Sequence, residues 1–356
     1  MKVKNAYING ASVISIQPEF SIAMLESPAT YHEPYARCID PSFRDYFDPL
    51  AARRMSRIIK RAIITARKAV AEASIEIPDA IITGTGLGCV EETEKFLDSM
   101  IRNEEKFLQP AFFIQSTHNT ISSQIALSMG CKGYNNTYIH RGVSFENALM
   151  DALLQLNATR VGNVMVTGND EMTPNYFTLL KRIGYWKQEV PDTLKIIGDC
   201  STPGSFAAEG SVSMIISEAP ASTTYARIEA MKLDYKPQGF DSNDISVFLT
   251  ENNCTPNDID VFLTGMNGDI ENDKVYKGLF SFFGEDKIAF YRNICGEYFT
   301  SSAFGILAAA LCVKSGKVPA SMTLKGRPVE KVRRVLFYNH FKNKDHSLIL
   351  LTTWAN

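Results

Sequence analysis

The sequence of 356 residues lacks an excess of charge of either sign, because its formal net charge at pH 7 is −2. Proteins that bind nucleic acid usually carry a basic face, so this balance argues against nucleic-acid binding. The chain also lacks an apolar run long enough to cross a bilayer. Its first residues, MKVKN, lead directly into a strand-like segment. We therefore expect no signal peptide and a cytoplasmic protein.

Paired cysteines are also missing, since none of the seven cysteines belongs to a CxxC motif. Their spacing suits neither a disulfide framework nor a zinc site. We expect reduced and mostly buried thiols, with no metal and no other cofactor. The cysteines are Cys38, Cys89, Cys131, Cys200, Cys254, Cys295 and Cys312.

The sequence does contain a regular alternation of apolar strands and amphipathic helices, which predicts an α/β layered protein. The hydrophobic content of 45% and the length are sufficient for a large core. The predicted strands are 6–16, 80–83, one ending at 138–139, 161–166, 212–217, 225–230, 260–264, 335–338 and 348–352. The predicted helices are 51–73, 91–102, 119–129, 145–156, one following Ser242, and 301–314.

The segment 136–149 has the form of an enzyme's nucleophile turn, and it reads NTYIHRGVSFENAL. A short strand ends there in a tight turn, and a helix follows. A residue at such a turn lies where free backbone N–H groups and the helix dipole stabilise a thiolate or an oxyanion. That place is occupied by Gly142, with His140 and Ser144 on either side.

Several further motifs, in order along the chain, resemble those of β-ketoacyl-ACP synthases. They are DPLAARRMSR at 48–57, ITGTGLG at 82–88, GNDE at 168–171 and AEGSV at 208–212. The resemblance implies a thiolase-like, five-layered α/β/α/β/α fold with two pseudo-repeated halves. A turn-rich break at 219–222 separates the halves, which we predict to be residues 1–220 and a shortened 221–356.

A condensing member of this family uses one cysteine and two histidines. The cysteine carries the acyl chain, and the imidazoles stabilise the negative charge that develops on the malonyl unit. The matching positions here are Gly142, Gly265 and Glu297. The family's glycine-rich gating loop resembles residues 339–345, in which charged and polar residues replace the glycines. We expect these three positions to converge and standard condensation to be absent.

Other side chains near these motifs are weaker candidates for catalysis. Ser144 has the position of a helix cap, and His140 and Cys295 are each more typical of structural roles. Glu171 and Glu209 match family glutamates that we interpret as buried structural carboxylates.

The resemblance implies a dimer with an isologous interface. We expect the interface and tunnel wall to lie at 110–115 and along the helix from Asn119, with Phe145 nearby. The predicted interface residues are Phe112, Phe113, Gln115, His118 and Asn119.

The leading hypothesis is a non-catalytic, chain-length-factor-like partner of an active ketosynthase and its acyl carrier protein, in fatty acid, polyene or polyketide synthesis. One alternative is a rewired acyltransferase that uses Ser144 or Cys295. Another is a homodimeric scaffold that binds acyl groups or carrier proteins. Whether the chain forms a homodimer or a heterodimer stays open.

Overall fold

The computed structural model describes residues 1–3, 5–53, 55–106, 108–158, 161–198 and 201–354, and it shows the expected alternation of helices and strands. The helices are α1 (Ile22–Glu26), α2 (Pro49–Ala52), α3 (Arg57–Glu72), α4 (Val90–Arg102), α5 (Pro110–Ser116), α6 (Thr120–Met129), α7 (Ser144–Ala158), α8 (Pro174–Arg182), α9 (Ser242–Glu251), α10 (Ile270–Lys277), α11 (Phe280–Phe283), α12 (Arg292–Cys295) and α13 (Ser301–Ser315). The strands are β1 (Tyr7–Ile14), β2 (Ala80–Gly84), β3 (Tyr134–Tyr138), β4 (Asn163–Asp170), β5 (Gly210–Ser217), β6 (Arg227–Tyr235), β7 (Val261–Thr264), β8 (Ile288–Phe290), β9 (Lys317–Val318), β10 (Val329–Glu330), β11 (Arg334–Phe341) and β12 (Asp345–Thr352).

Ten of these strands form one mixed sheet in the order β3-β2-β4-β5-β1-β6-β12-β11-β7-β8. The first five strands in this order belong to the N-terminal part of the chain, and the other five belong to the C-terminal part. The two sets join where β1 meets β6, through the pairing of Tyr7 with Arg227. The chain crosses from one set to the other between β5 and β6. The division into residues 1–220 and 221–356 remains a prediction.

Side-chain alternation along the strands creates two apolar faces on the first half of the sheet. Ile81 and Met165 pack in the cluster that contains α3, whereas their neighbours Ile82 and Val166 pack in the cluster that contains α7. Helix α7 contacts β2 and β4, α13 contacts β11 and β12, and the two helices contact each other. A central helical layer therefore lies between the two halves.

The second half of the sheet is also covered on both faces. Tyr338 of β11 contacts Tyr276 of α10, with ring centroids 5.3 Å apart. The preceding residue, Phe337, faces the opposite side of the sheet and contacts Tyr291, with ring centroids 5.8 Å apart. This arrangement accounts for the near-continuous apolar runs of β11 and β12, because strands that are buried on both faces need no polar side.

The predicted continuous helix 51–73 is wrong. Helix α2 ends at Ala52, and α3 begins only after Ser56, whose backbone is extended. The buried face of α3 starts at Ile58 and packs on β1 and β5, whereas Leu50 of α2 is exposed. Tertiary packing thus fixes the helix from residue 57 onward. Arg54 of the predicted helix lies outside the described residues.

Within the described part of the chain, no helix has the combination of length and apolar character that a membrane span requires.

Candidate functional site

Gly142 lies in the strand–turn–helix frame that its sequence predicts. Strand β3 ends at Tyr138, a short 3-10 turn spans Arg141–Val143, and α7 follows. Gly142 is buried. A Cβ atom built on it would lie 2.3 Å from Cδ2 of Phe341, so the phenyl ring occupies the place where a side chain would extend. This position therefore accommodates only glycine unless Phe341 moves.

The two polar neighbours of Gly142 serve the turn itself. The Ser144 hydroxyl accepts a hydrogen bond from the His140 N–H at 2.7 Å and donates one to the Arg141 carbonyl at 2.8 Å. The side chain of His140 is 61% exposed, and its Nε2 lies 3.9 Å from a carboxylate oxygen of Asp345. Neither residue lines the cavity beside Gly142.

Gly265 follows β7, and three side chains from other elements fill the space in which a side chain at this position would lie. A Cβ atom there would lie 2.5 Å from the Tyr276 hydroxyl, 2.6 Å from Oδ1 of Asn339 and 2.9 Å from Nη1 of Arg292. The loop beyond Gly265 is fixed by Asp273, which accepts hydrogen bonds from the N–H groups of Asn267 and Gly268, both at 2.9 Å. A histidine at position 265 has no space in this arrangement.

Arg292 of α12 is the centre of the site. Its guanidinium donates to the Gly265 carbonyl and, at 3.0 Å, to Oδ1 of Asn339. Its Nε lies 3.1 Å from the Ser301 hydroxyl and 3.0 Å from Oε2 of Glu297. The arginine side chain is almost wholly buried. A buried cation without a partner would be very unfavourable, so Arg292 can be buried only because it forms the ion pair with Glu297.

The Glu297 carboxylate also accepts a hydrogen bond from the side-chain amide of Asn267 at 2.9 Å. Burial raises the pKa of Glu297, and the Arg292 guanidinium opposes this shift. Its side chain is 21% exposed and borders the cavity. At the position where the sequence motifs predict an imidazole, this chain therefore has a carboxylate that is held by an arginine.

Asn339 of β11 connects this ion pair to Gly142. Its amide donates to Oε1 of Glu146 at 2.6 Å and to the Gly142 carbonyl at 3.4 Å. Glu146 is fully buried on α7, and burial raises its pKa. The structure thus brings Gly142, Gly265 and Glu297 together around Arg292 and Asn339.

Sequence reasoning missed Arg292, Asn339, Glu146 and Tyr276. The available signal was weak, because Arg292 and Asn339 are single polar residues inside apolar segments. Such residues are buried only where they find partners. The partners here lie far apart in the chain, and 193 residues separate Glu146 from Asn339.

A cavity of about 720 Å³ lies beside the site and is lined by Gly142, Trp186, Arg292, Glu297 and Phe341, among others. A second, apolar pocket of only about 40 Å³ lies behind it, among residues that include Met172 and Tyr298. Trp186, Glu297 and Phe341 border both spaces. Phe341 therefore stands between the open cavity and the inner pocket.

The segment that carries Phe341 is a tight hairpin. Phe341 pairs with Asp345 across the end of β11 and β12, and the turn places Lys342 and Asn343 at φ values of 54° and 51°. The His340 ring accepts a hydrogen bond from the Asn343 N–H at 3.2 Å and donates one to the Asn272 carbonyl at 3.1 Å. Burial lowers the pKa of His340 to about 3, so the ring is neutral. Paired strands and a neutral histidine thus fix the hairpin tip.

Cys295 lies near Glu297 but is fully buried, and its thiol contacts the Gly296 carbonyl at 3.3 Å. Burial raises the pKa of the Cys295 thiol, which disfavours the reactive thiolate. Among the described cysteines all are free, and Cys200 lies outside the described residues. The described residues also contain no cluster that could hold a metal ion.

Three carboxylates of the family-like turns are buried in this half of the molecule. Glu209 accepts hydrogen bonds from Arg61 at 2.9 Å and from the Cys38 N–H at 3.0 Å. Asp170 accepts from the Thr300 N–H at 2.7 Å, and burial raises its pKa to about 6. Glu171 accepts from the Glu91 N–H at 2.9 Å. Burial, and then the nearby carboxylates, raise the pKa of Glu171 to about 8, against the effect of that hydrogen bond.

The shift at Glu171 predicts a dependence of stability on pH. Because the folded protein holds this proton more tightly than the unfolded chain, the stabilisation is complete below about pH 4.5 and is lost as the pH rises through about 8. Between pH 5 and pH 9 the free energy of unfolding of the wild type should fall by on the order of 3 kcal/mol relative to that of Glu171→Gln. Urea unfolding at both values measures this difference. The control is Glu105→Gln, because Glu105 is exposed. If the wild type and Glu171→Gln differ in free energy of unfolding by the same amount at both pH values, the prediction is contradicted.

The predicted interface stretch forms α5 and the turn that leads into α6. Phe113 is 56% exposed, His118 and Asn119 are exposed, and Phe112 and Gln115 are half-buried. Phe145, which we expected near a tunnel wall, lies instead in the main core, directly beneath Gly84. It faces inward because it begins the buried face of α7.

The sequence matches a family model described as the N-terminal domain of β-ketoacyl synthase, over residues 32–203. Among curated proteins it is similar to 3-oxoacyl-acyl-carrier-protein synthase 2 of Staphylococcus aureus strain N315, with 25% identity over 136 residues. That alignment covers 36% of this chain, and the chain spans about a third (33%) of the length of this relative.

Solved structures match over the whole chain. A β-ketoacyl synthase from Burkholderia phymatum STM815 has a TM-score of 0.82 at 14% identity, covering 100% of both chains. The ishigamide ketosynthase/chain length factor has a TM-score of 0.81 at 17% identity, covering 99% of this chain and 100% of the other. A ketosynthase in complex with its chain length factor from Xenorhabdus doucetiae has a TM-score of 0.77 at 12% identity, covering 99% and 98%. These similarities confirm the predicted thiolase-like fold.

Proposed function

We propose that this chain, which is similar to β-ketoacyl synthases, is a non-catalytic subunit, resembling a chain-length factor, that assembles with an active ketosynthase. The active partner would supply the cysteine and both histidines and would receive its substrates from an acyl carrier protein. The solved ketosynthase/chain length factor structures support the pairing of the two subunits, and polyene or polyketide synthesis is the pathway class that we propose.

The observation that carries this proposal is the state of the nucleophile position. Gly142 has no group that can take an acyl chain, and the Phe341 ring occupies the space above it. The two imidazole positions hold Gly265 and Glu297, which belong to the Arg292 network. Removing a single oxyanion donor typically lowers the rate of an enzyme about 100-fold to 1000-fold. The positions predicted for the nucleophile and for both donors hold none of these groups in this chain.

An exposed apolar surface supports a partner. Helices α4 and α5 contact each other, α5 contacts α6, and α6 and α7 each contact β3. These neighbouring elements, together with the residue after β3, carry large apolar side chains on the surface. The exposed side chains are Leu97, Ile101, Phe113, Ile114, Leu127, Tyr134, Ile139 and Leu154. Several large apolar side chains exposed on neighbouring elements are typical of protein–protein contact sites.

The rewired acyltransferase is less well supported. The Ser144 hydroxyl is engaged by two backbone groups of its own turn, and burial disfavours the Cys295 thiolate. An acylated Ser144 or Cys295, detected by mass spectrometry after incubation with acyl carrier protein, would favour that alternative. The homodimeric scaffold is separated from our proposal by the identity of the partner.

Co-purification with a ketosynthase that has the cysteine and both histidines tests the proposal, and Phe113→Asp tests the surface. We expect the wild type to bind the ketosynthase and Phe113→Asp to weaken binding about tenfold or more, because a buried charge without a partner is unfavourable. Dissociation constants are measured by titration, and circular dichroism checks the fold of each variant.

Leu179→Asp is the matched control, because Leu179 is a 59% exposed apolar residue on α8, outside this surface. It should bind like the wild type. Equal binding by Phe113→Asp and Leu179→Asp, or no binding of any active ketosynthase by the wild type, would contradict the proposal.

A further inference from the structure

Strand β3 is an open edge of the sheet, and exposed cations flank it at both ends. Among the strands that the structure describes, it pairs with β2 alone, in parallel, and it is the first strand in the sheet order. Lys132 lies two residues before the strand and Arg141 lies three residues after it, and both are exposed. An open edge presents unpaired N–H and C=O groups that another strand can complete.

The position of Arg141 is fixed by the turn that contains Gly142. Its backbone has a φ of 47°, which is unusual for a residue other than glycine. The Ser144 hydroxyl holds the turn through the Arg141 carbonyl and the His140 N–H. A backbone strained in this way and held by its surroundings often marks a functional position.

If two copies of this chain paired through β3, positive charges of one copy would lie next to positive charges of the other. Identical strands related by a two-fold axis run antiparallel, so the beginning of one strand lies beside the end of the other. Lys132 of each copy would then approach Arg141 of its neighbour, and symmetry would repeat the contact. Like charges placed against each other at an interface oppose association.

The carboxylates near this edge are already engaged. Asp151 is buried and accepts hydrogen bonds from the Tyr134 hydroxyl at 3.0 Å and from Gln155 at 3.1 Å. Asp345 lies beside His140. Within the described part of the chain, Lys132 and Arg141 form no ion pair. The edge therefore presents its positive charges to whatever strand pairs with it.

From this pattern we infer that the β3 edge rejects a second copy of this chain and selects a ketosynthase-type partner whose edge strand has carboxylates at both ends. The inference rests on the proposed function, which supplies the partner. It names what distinguishes that partner from a second copy, namely acidic residues opposite Lys132 and Arg141.

Charge reversal tests the inference on the whole chain. Lys132→Glu places a carboxylate opposite Arg141 in both symmetric contacts, so this variant should self-associate where the wild type does not. The dissociation constant for self-association should fall about tenfold or more, because both contacts change from repulsive to attractive. Sedimentation over a range of concentrations measures the change, and raised salt should diminish it.

The double variant Lys132→Glu/Arg141→Glu gives the complementary result. Its edge is acidic at both ends, so it should not pair with itself but should form a mixed dimer with the wild type. Lys68→Glu reverses an exposed charge on α3, away from this edge, and should behave as the wild type does.

A salt-insensitive homodimer of the wild type would overturn the inference. So would a Lys132→Glu variant that associates no better than Lys68→Glu. Either failure leaves the proposed function standing if the wild type still binds an active ketosynthase through Phe113. Conversely, correct charge-reversal results without any ketosynthase binding would refute the proposed function and not the charge rule.

Discussion

Replacing Arg292 with methionine is expected to lower the free energy of unfolding by about 3–5 kcal/mol, the range typical of removing one partner of a buried ion pair. Methionine fills much of the same space, but it leaves Glu297 without its cation. It also removes the Arg292 hydrogen bonds to the Gly265 carbonyl and to Oδ1 of Asn339. These acceptors then keep only the longer bonds from Asn272 and Tyr276, both at 3.4 Å. Urea denaturation monitored by circular dichroism measures the loss.

The double variant Arg292→Met/Glu297→Gln should recover part of that loss, because the remaining partner is then uncharged. The matched control is Arg102→Met, which breaks an ion pair with Asp98 on the exposed surface of α4. Exposed pairs contribute little, so this control should unfold as the wild type does. An Arg292→Met protein as stable as Arg102→Met would show that the ion pair does not hold the site together.

The change Gly142→Cys, which places a thiol at the predicted nucleophile position, should produce neither a thioester nor a condensation product. The new Cβ would meet the Phe341 ring at 2.3 Å, so the substitution should also destabilise the fold by about 1–3 kcal/mol through overpacking. We expect no condensation even if the thiol were acylated, because Gly265 and Glu297 occupy the predicted imidazole positions. Intact-protein mass spectrometry after incubation with acyl and malonyl carrier proteins detects both species.

Gly142→Ala separates the steric effect from the thiol, since it meets the same ring without a nucleophile. The double variant Gly142→Cys/Phe341→Ala makes room for the cysteine, and we expect it to be acylated but still unable to condense. A condensation product from Gly142→Cys alone would refute the assignment of Gly265 and Glu297 to the imidazole positions.

Periodicity predicted the central strands well, because β2, β4 and β5 are buried on both faces and their apolar runs leave little ambiguity. It failed at residues 51–73, where the helix-forming composition continues through a place at which the chain turns. The turn at Ser56 is decided by where Ile58 and the residues after it can pack, and a local pattern does not contain that information.

The motifs led to Gly142, Gly265 and Glu297, but they could not predict what replaced the missing side chains. Arg292 is an isolated arginine in its segment, and its role depends on Asn339 and Glu297 reaching it from other elements. Phe341 looked like part of a polar loop, whereas the structure places its ring against Gly142. Contacts between distant segments decide both cases.

The glycine at position 265 has a consequence for the order in which this site can change. Any side chain there meets Tyr276, Asn339 and Arg292 at once, so a substitution at 265 is tolerated only after those neighbours have changed. Changing Arg292 first leaves Glu297 unpaired, and changing Glu297 first leaves Arg292 unpaired. Every single step away from the present arrangement therefore lowers stability. We therefore expect these five positions to change together in evolution, so that homologues differ at several of them or at none. The positions are Gly265, Tyr276, Arg292, Glu297 and Asn339.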